Sequence, residues 1–266
     1  IAEDATALVE VDLDPLPTAC DMETALGPDA VVIHKELGSN LAWERTVTAG
    51  DVEAAFARDD VTIVERKFQF GRHTGVTLEP RVSMVDYDPS ENRMSYWYSG
   101  QAPHMMQFIL SNHLDLPEEN VRVMSHDVGG SFGIKIHTYG DDIATAVAAK
   151  LLKRPVKFVA DRNESFVTDI HAREHVVTAK MAVQADGTIV ALDFLDLTGI
   201  GPYSMYPRTS AIECNQVLNL TGAPYRIEHY RAHGQVVFQN KNLTCQYRAV
   251  GHPIAMAVAD GLLEDA

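Results

Sequence analysis

Hydrophobic and polar residues alternate along several segments of the chain, and this alternation predicts β-strands. The segment Val61–Phe70 alternates over its whole length, and residues 175–183 repeat the pattern. Because successive side chains of a strand point to opposite faces of a sheet, a period of two predicts strands with one buried face. The same reasoning predicts further strands at residues 9–13, 81–87, 93–98, 121–124, 155–160, 189–194, 225–229 and 235–238.

A spacing of three and four residues between apolar positions predicts helices between these strands. After Pro103, which can occupy a first helical position, this spacing runs from Met106 to His113. Residues 141–153 have acidic residues in the first turn and lysines toward the end, the distribution that the helix dipole favours. Helices are also predicted at 2–8, at 51–58 and from Gly251 to the last residue.

Both ends of the sequence lie inside predicted helices. The chain starts at Ile1 rather than at a methionine, and no glycine or proline ends the last helix before Ala266. We therefore expect the sequence to be a segment of a longer protein.

The composition and the charge restrict the class of protein. With 266 residues, of which 46% are hydrophobic, the chain can form a substantial core, which excludes a disordered or collagen-like protein. The net charge of −15 repels polyanions and disfavours nucleic acid as a partner. No segment has the roughly 20 apolar residues of a membrane-spanning helix, and the first residues do not start a signal peptide. The sequence predicts a soluble cytoplasmic protein without a membrane partner.

The three cysteines, Cys20, Cys214 and Cys245, lie far apart in the sequence and form no C-x-x-C pair. Iron–sulfur clusters and structural zinc sites need about four ligands at close spacing. The sequence therefore predicts reduced thiols and no such cluster in this chain.

The first candidate for a ligand site is a glycine-rich turn, residues 127–133, between a predicted strand and a predicted helix. Paired glycines leave backbone N–H groups free to approach an anion closely. Phe132, a large apolar residue within this turn, is typical of a loop that lines a pocket. The segment matches neither G-x-G-x-x-G nor the P-loop, so the alternative of a tight turn without a ligand stays open.

A second candidate, His171 to His175, matches the H-x-x-E-H pattern of zinc proteases, which needs both histidines on one face of a helix. The residues that follow favour an extended chain, in which positions four apart are separated by about 13 Å. The sequence thus disfavours a metal site here, and for the same reason at His229 and His233.

Two further segments carry polar residues near predicted helix starts. Arg248 precedes a Gly-x-Pro helix start, and a fixed cation beside the positive end of a helix suits an anion or an oxo group. Gln101 lies at a strand-to-helix junction. Taken alone, Arg248 is explained by a surface ion pair and Gln101 by helix capping.

In their order, these segments resemble the molybdenum hydroxylase family of xanthine dehydrogenases, aldehyde oxidoreductases, carbon monoxide dehydrogenases and bacterial N-heterocycle hydroxylases. The matching segments are GQAPHMMQFILSNHLDLPEENVRVMSHDVGGSFGIK, RPVKFVADRNESF and NKNLTCQYRAVGHPIA, with further similarity in HTGVTLEPR and EDATALVEVDLDPLP. The resemblance implies an α+β fold of mixed sheets with helices, the N-terminal part of the molybdopterin-binding region. It also implies that residues 31–266 form the first molybdopterin-binding domain, and that residues 1–30 are the remnant of a small hammerhead-type domain with its linker.

The resemblance implies a role for each candidate residue. Gln101 is expected near the oxo ligand of molybdenum. Phe132 is expected to border the metal and the pterin together with the backbone of Gly130 and Gly133, and Arg248 is expected to balance the charge of the anionic cofactor. The cofactor implied is molybdenum–molybdopterin in its cytosine dinucleotide form, with no side chain of this chain ligating the metal directly.

Departures from the family pattern narrow the expected substrate. Ala249 stands where carbon monoxide dehydrogenases have a copper-binding cysteine. Ile136, Gln216 and Val250 replace residues that hold a purine in xanthine-oxidising members. The remaining expectation is hydroxylation of an aldehyde or an N-heteroaromatic ring with water-derived oxygen.

The general-base glutamate of the family lies in a later segment, and Glu79 is expected to be structural. We therefore expect this chain to be part of a catalytic subunit, inactive alone, with the remaining part of the large subunit as a partner. The resemblance places FAD and [2Fe–2S] centres on partner chains, which receive the electrons. Two alternatives stay open: a non-catalytic homologue that acts as an assembly or scaffold subunit, and a stand-alone phosphate-binding module.

Overall fold

The structure, a computed structural model, describes residues 2–266, with side chains from Asp4 onward. In this range the chain forms an α+β fold of two mixed β-sheets with helices packed against them. The strands are β1 Leu41–Ala49, β2 Val61–Phe70, β3 Val82–Asp88, β4 Arg93–Tyr98, β5 Val121–Met124, β6 Val156–Val159, β7 His175–Gln184, β8 Ile189–Ile200 and β9 His229–Phe238. The helices are α1 Ala2–Thr6, α2 Val52–Phe56, α3 Pro103–Leu114, α4 Gly140–Leu152, α5 Arg162–Thr168, α6 Ile212–Leu220 and α7 His252–Asp265. None of these helices has the length and the apolar character needed to cross a bilayer.

The larger sheet has the strand order β1-β9-β8-β7-β2, in which the β8/β9 pair is parallel and the other pairs are antiparallel. One face packs against α6 and α7 and buries apolar side chains such as Met181, Leu192 and Ile254 completely. Part of the opposite face is covered by α2 and by residues 19–33. Burial on both faces fixes the strand register, because a slip of one residue would exchange the two faces.

The smaller sheet has the order β5-β4-β3-β6, with α3 and α4 packed on one face. Its core contains Tyr96 from β4 and Met106 and Leu110 from α3, all almost fully buried. Strands β4 and β5 are parallel and are joined by α3. Because parallel neighbours end at the same edge of a sheet, the loops after Tyr98 and after Met124 emerge side by side.

A third apolar cluster connects the two sheets. Ile134 lies just after the loop that follows β5, and Cys245 lies in the segment before α7; both are buried in this cluster together with Tyr139 and Ile170. The Tyr139 hydroxyl donates to the carbonyl of Ile134 at 2.7 Å and accepts from the N–H of Ile170 at 3.3 Å. The cluster therefore holds a loop of the smaller sheet against a segment of the larger one.

The predicted strand at residues 9–13 is wrong. This segment is not paired with any strand of the described chain, and the side chains of Val9, Val11 and Leu13 are exposed. Alternation alone does not make a strand, since its backbone N–H and C=O groups need a neighbouring strand.

The predicted strand at 225–229 is wrong except for its last residue, because residues 225–228 form no strand. The predicted strand at 235–238 is the end of a longer strand, β9, which begins at His229. In the structure a Cβ on Gly234 would lie 2.6 Å from Cys214 Sγ, so this glycine allows α6 to approach the strand closely. The elements β1, α5 and α6 were not predicted, whereas β2 to β7 and α2, α3, α4 and α7 lie within a few residues of their predicted positions.

Candidate functional site

Gln101 follows β4 in a short turn, and hydrogen bonds fix the direction of its side-chain amide. Its Oε1 accepts from the N–H of Gly133 at 3.2 Å and from the Ser131 hydroxyl. Since a backbone N–H can only donate, the atom facing Gly133 must be the amide oxygen. The amide Nε2 has no acceptor within the described residues and the side chain is exposed. Gln101 thus offers a free N–H donor in a fixed direction. It does not cap α3, whose N-cap residue is Ala102.

The glycine-rich loop, residues 129–133, follows β5 beside Gln101. Gly130, Phe132 and Gly133 all adopt left-handed backbone conformations, with φ of 99°, 52° and 102°. The N–H groups of Gly130, Ser131 and Phe132 donate to no acceptor in the described part of the chain. The Phe132 residue is 46% exposed. The loop therefore presents backbone donors and an apolar ring together, which suits an anionic ligand with a flat apolar part.

Gly133 brings this loop into contact with the segment before α7. A Cβ at this position would lie 2.8 Å from Gln246 O and 3.1 Å from Tyr247 Cα, so no other residue fits. Next to this contact, the N–H of Arg248 donates to the carbonyl of Phe132 at 2.8 Å. The structure thus brings Gln101, the glycine-rich loop and Arg248 together from both sheets.

The Arg248 side chain is exposed and forms no hydrogen bond or ion pair with the residues that the structure describes. The surface ion pair that would explain an isolated arginine is therefore not observed in this range. Arg248 is in backbone contact with the glycine-rich loop, so its unpaired guanidinium and the unpaired N–H groups of the loop belong to the same edge of the molecule. This edge is locally favourable for an anion, although the chain as a whole carries a net charge of −15.

Glu79 anchors the start of the glycine-rich loop. Its Oε2 accepts from the N–H of Gly129 at 2.7 Å, from Lys135 Nζ at 2.9 Å and from the Ser99 hydroxyl. Burial opposes ionisation of Glu79, but these three hydrogen bonds outweigh it and hold the pKa of the carboxyl below its ordinary value. The contacts support the expected structural role of Glu79.

The segment His171 to His175 is not helical, as its sequence predicts: His171 and Ala172 form isolated β-bridges, Arg173 has a left-handed backbone with φ of 71°, and β7 begins at His175. His175 is fully buried, with Nδ1 2.7 Å from Asp196 Oδ1. Among the described residues no group of histidine, cysteine, aspartate or glutamate side chains could hold a metal ion.

Two functional contacts were missed from the sequence. Ser131 orients the Gln101 amide, and Arg173 donates through Nη2 to the carbonyl of Arg248. Neither contact has a signal in periodicity, because both depend on chain segments far apart in the sequence. Arg173 lies inside the histidine pattern, where only its neighbours had been considered for chemistry.

The sequence profile of the molybdopterin cofactor-binding domain matches residues 33–266. The chain belongs to the molybdopterin cofactor-binding domain family. This molybdopterin-binding domain is 33% identical to the nicotine 6-hydroxylase large subunit of Paenarthrobacter nicotinovorans, over 99% of its own length and 32% of that protein.

Solved structures give the same assignment. The domain matches aldehyde oxidoreductase from Desulfovibrio gigas with a TM-score of 0.89 and 26% identity, over 99% of this chain and 29% of that one. It matches quinoline 2-oxidoreductase from Pseudomonas putida 86 with a TM-score of 0.87 and 25% identity, over 99% and 34% of the two chains. The molybdopterin-binding domain thus spans about a third of the length of these relatives. The resemblance to the molybdenum hydroxylases and the α+β fold are confirmed, while the division into residues 1–30 and 31–266 stays a prediction.

Proposed function

We propose that this chain is the molybdenum-cofactor-binding part of the catalytic subunit of a hydroxylase, and that Gln101, Gly130, Phe132, Gly133 and Arg248 contact the cofactor. The observation that carries the proposal is the free cation of Arg248 beside backbone N–H donors and an exposed Phe132 ring. Molybdopterin combines an anionic group with a flat ring system, so the residues fit its chemistry. When bound, the cofactor supplies oxygen transfer from water and takes up two electrons.

The residues of this chain bind and orient in this proposal. The Gln101 amide is held through its oxygen. Its free Nε2 would donate a hydrogen bond to an oxo ligand of the bound cofactor. The N–H groups of residues 130–132 and the Arg248 guanidinium balance negative charge. The Phe132 ring excludes water from one side of the site.

The finer points of the proposal rest on the family resemblance and on the relatives' names. We propose an aldehyde or an N-heteroaromatic substrate, in line with relatives named nicotine 6-hydroxylase, quinoline 2-oxidoreductase and aldehyde oxidoreductase. We also propose the cytosine dinucleotide form of the cofactor, a cytoplasmic location, and partners that carry FAD, [2Fe–2S] and the general-base glutamate. The dispersed positions of Cys20, Cys214 and Cys245 agree with redox clusters on other chains.

The test is made on the native complex that contains the full-length subunit. Metal analysis should find molybdenum, and the oxidised pterin released by acid should be fluorescent and carry cytosine nucleotide. Gln101→Ala should keep this cofactor but lower kcat on the order of a hundredfold, the size of effect seen for a lost transition-state donor.

Two other outcomes would point to the alternatives. A complex without molybdenum or pterin would favour the assembly or scaffold subunit. Heat released when free nucleotides are titrated into this chain alone would favour the phosphate-binding module. Unchanged turnover in Gln101→Ala would reject the role given to Gln101.

A further inference from the structure

The segment that carries Arg248, residues 247–251, has a strained backbone. Ala249 and Val250 are consecutive non-glycine residues in the left-handed region, with φ of 67° and 49°. Such conformations are unfavourable for residues that carry a side chain and persist only where the surroundings hold them. Contacts from other parts of the chain must therefore maintain this segment.

The carbonyls that precede the strained pair are held by the guanidinium of Arg173. Its Nη2 donates to the carbonyl of Arg248 and lies 3.4 Å from the carbonyl oxygen of Tyr247. The guanidinium also lies over the Tyr247 ring, 5.4 Å from the ring centroid. The side chain of Arg173 is only 6% exposed, so water does not compete for these contacts.

Arg173 is itself fixed by Glu213, a buried carboxylate on α6. Glu213 Oε1 accepts from Arg173 Nη1, and Oε2 accepts from the backbone N–H of Arg173 at 3.0 Å. His175 extends this buried network, with Nε2 3.6 Å from Glu213 Oε2 and Nδ1 2.7 Å from Asp196 Oδ1. The Arg173 guanidinium is therefore fixed between Glu213 on one side and the carbonyls of Tyr247 and Arg248 on the other.

Helix α6 also holds the far end of the same segment. The N–H of Gly251 donates to Gln216 Oε1 at 3.1 Å. A Cβ on Gly251 would lie 2.6 Å from the carbonyl oxygen of Glu213, so the segment runs directly against the helix. Glu213 and Gln216 thus connect one helix to both ends of the strained backbone.

We infer that Arg173 is a positioning residue. Held by Glu213, it bonds the carbonyls of Tyr247 and Arg248. It thereby fixes the position of Arg248 relative to the glycine-rich loop and the cofactor. The inference rests on the proposed function. The planar guanidinium can bond a carboxylate and two carbonyls at once, which a lysine ammonium cannot do in this geometry. Arg173→Lys therefore keeps the positive charge beside Glu213 and removes the planar set of N–H donors.

The test uses the full-length subunit in its native complex. Arg173→Lys should release the pterin roughly tenfold faster during dialysis, the lower end of the effect known for groups that orient ligands. The KM for the substrate should change less than the pterin release rate, because the Arg173 side chain is buried and not accessible to a substrate. Thermal unfolding of the same samples measures any general loss of stability.

Arg72→Lys is the matched control. Arg72 also pairs with a carboxylate, Glu174, and also donates to a backbone carbonyl, that of Asn242, but it does not contact residues 247–251. It should lower the unfolding temperature to a similar degree and leave pterin release at the wild-type rate. If Arg173→Lys does not yield folded protein, Glu213→Gln, which keeps one acceptor oxygen, should give a smaller increase in pterin release.

If Arg173→Lys and Arg72→Lys release the pterin at the same rate and lose the same amount of thermal stability, Arg173 has only a structural role. This result would overturn the inference. A wild-type complex that holds no pterin would overturn the proposed function first, and the inference with it. The pterin content of the wild-type complex therefore distinguishes a failure of the proposed function from a failure of the inference.

Discussion

The direction of one amide group, that of Gln101, determines what this side chain can do. Two donors converge on its oxygen, and Nε2 is left free. The orientation depends on Ser131, which also accepts a hydrogen bond from the N–H of Lys135 at 3.2 Å. Ser131 is therefore part of the candidate site, although it carries no charge and no catalytic group.

Ser131→Ala should lower kcat of the native complex roughly fivefold without loss of cofactor, because one net hydrogen bond of about 1 kcal/mol then no longer orients Gln101. In the Gln101→Ala background the same change should have no further effect, since the two residues act through one contact. Steady-state kinetics of the four proteins measures the coupling. Ser90→Ala, in an exposed turn, is the control. Additive effects would separate Ser131 from Gln101.

His137 gives the molecule a predictable pH dependence. The residue is 2% exposed, and burial lowers its pKa to about 4. Between pH 4 and the ordinary pKa of about 6.5, His137 binds more protons in the unfolded chain than in the folded one, so its contribution to stability should fall as the pH decreases through this window. Burial raises the pKa of Asp142 to about 6, and this group contributes in the opposite direction. The slope from this group is at most about 1.4 kcal/mol per pH unit.

Urea unfolding at a series of pH values between 7.5 and 4.5 measures this effect. His137→Gln removes this contribution, so the free energy of unfolding of the variant should decrease less with falling pH than that of the wild type, whatever the stability at pH 7.5. His126→Gln, at an exposed position, should keep the wild-type slope. Parallel curves for wild type and His137→Gln would assign the pH dependence to other groups.

The residues of the site differ in how far the sequence could predict them. Gln101, Phe132 and Arg248 stood out because they flank glycines or helix starts in an order that resembles a family. Arg173 and Ser131 did not, since their roles come from contacts between segments distant in the sequence. A buried arginine has no periodic signature, and only its partners in space reveal it.

Among the secondary-structure elements, patterns with one buried face were predictable and those defined by their neighbours were not. Apart from its first residue, strand β9 was predicted only over its last four residues, 235–238, which follow Gly234. Helix α6 was missed because its buried positions include Glu213, Cys214 and two apolar residues rather than a regular apolar stripe. The prediction for residues 9–13 was wrong for the opposite reason, because this segment has a strand pattern but pairs with no strand of the described chain.

The close contact between the glycine-rich loop and the segment before α7 can be tested by substitution of a single glycine. Gly133→Ala should destabilise the chain by roughly 2–3 kcal/mol, because the left-handed backbone and the contact with Gln246 O both oppose a side chain. Gly187→Ala, in the β7–β8 turn at φ 86° with open space around it, should cost only about 1 kcal/mol. Urea unfolding compares the two. Equal losses would mean that the loop can move away from the Gln246 segment at no cost.

In the whole molecule, each sheet has its own core, and the cluster around Ile134 and Tyr139 joins the two sheets. The sequence has two tryptophans, Trp43 in β1 of the larger sheet and Trp97 in β4 of the smaller one. Each sheet therefore has its own fluorescent probe. The resemblance to a known family predicted the combination of sheets, but the contacts that join them could not be read from any single segment.

In the 266-residue chain, the variants Trp43→Phe and Trp97→Phe should report the same urea midpoint, because the shared cluster makes unfolding of the sheets cooperative. Ile134→Ala should lower both midpoints, with a loss of about 2–5 kcal/mol for a fully buried isoleucine. Phe108→Ala, at an exposed position on α3, should change neither. A shift of the Trp97 transition alone would indicate that the sheets unfold independently.

The hydrogen bond from the N–H of Arg248 to the carbonyl of Phe132 joins the loop of one sheet to the segment of the other. This amide proton can exchange with deuterium in the solvent only when the two segments separate. Its exchange rate therefore reports how readily the candidate site opens. This opening can be measured in the 266-residue chain before any cofactor has been supplied.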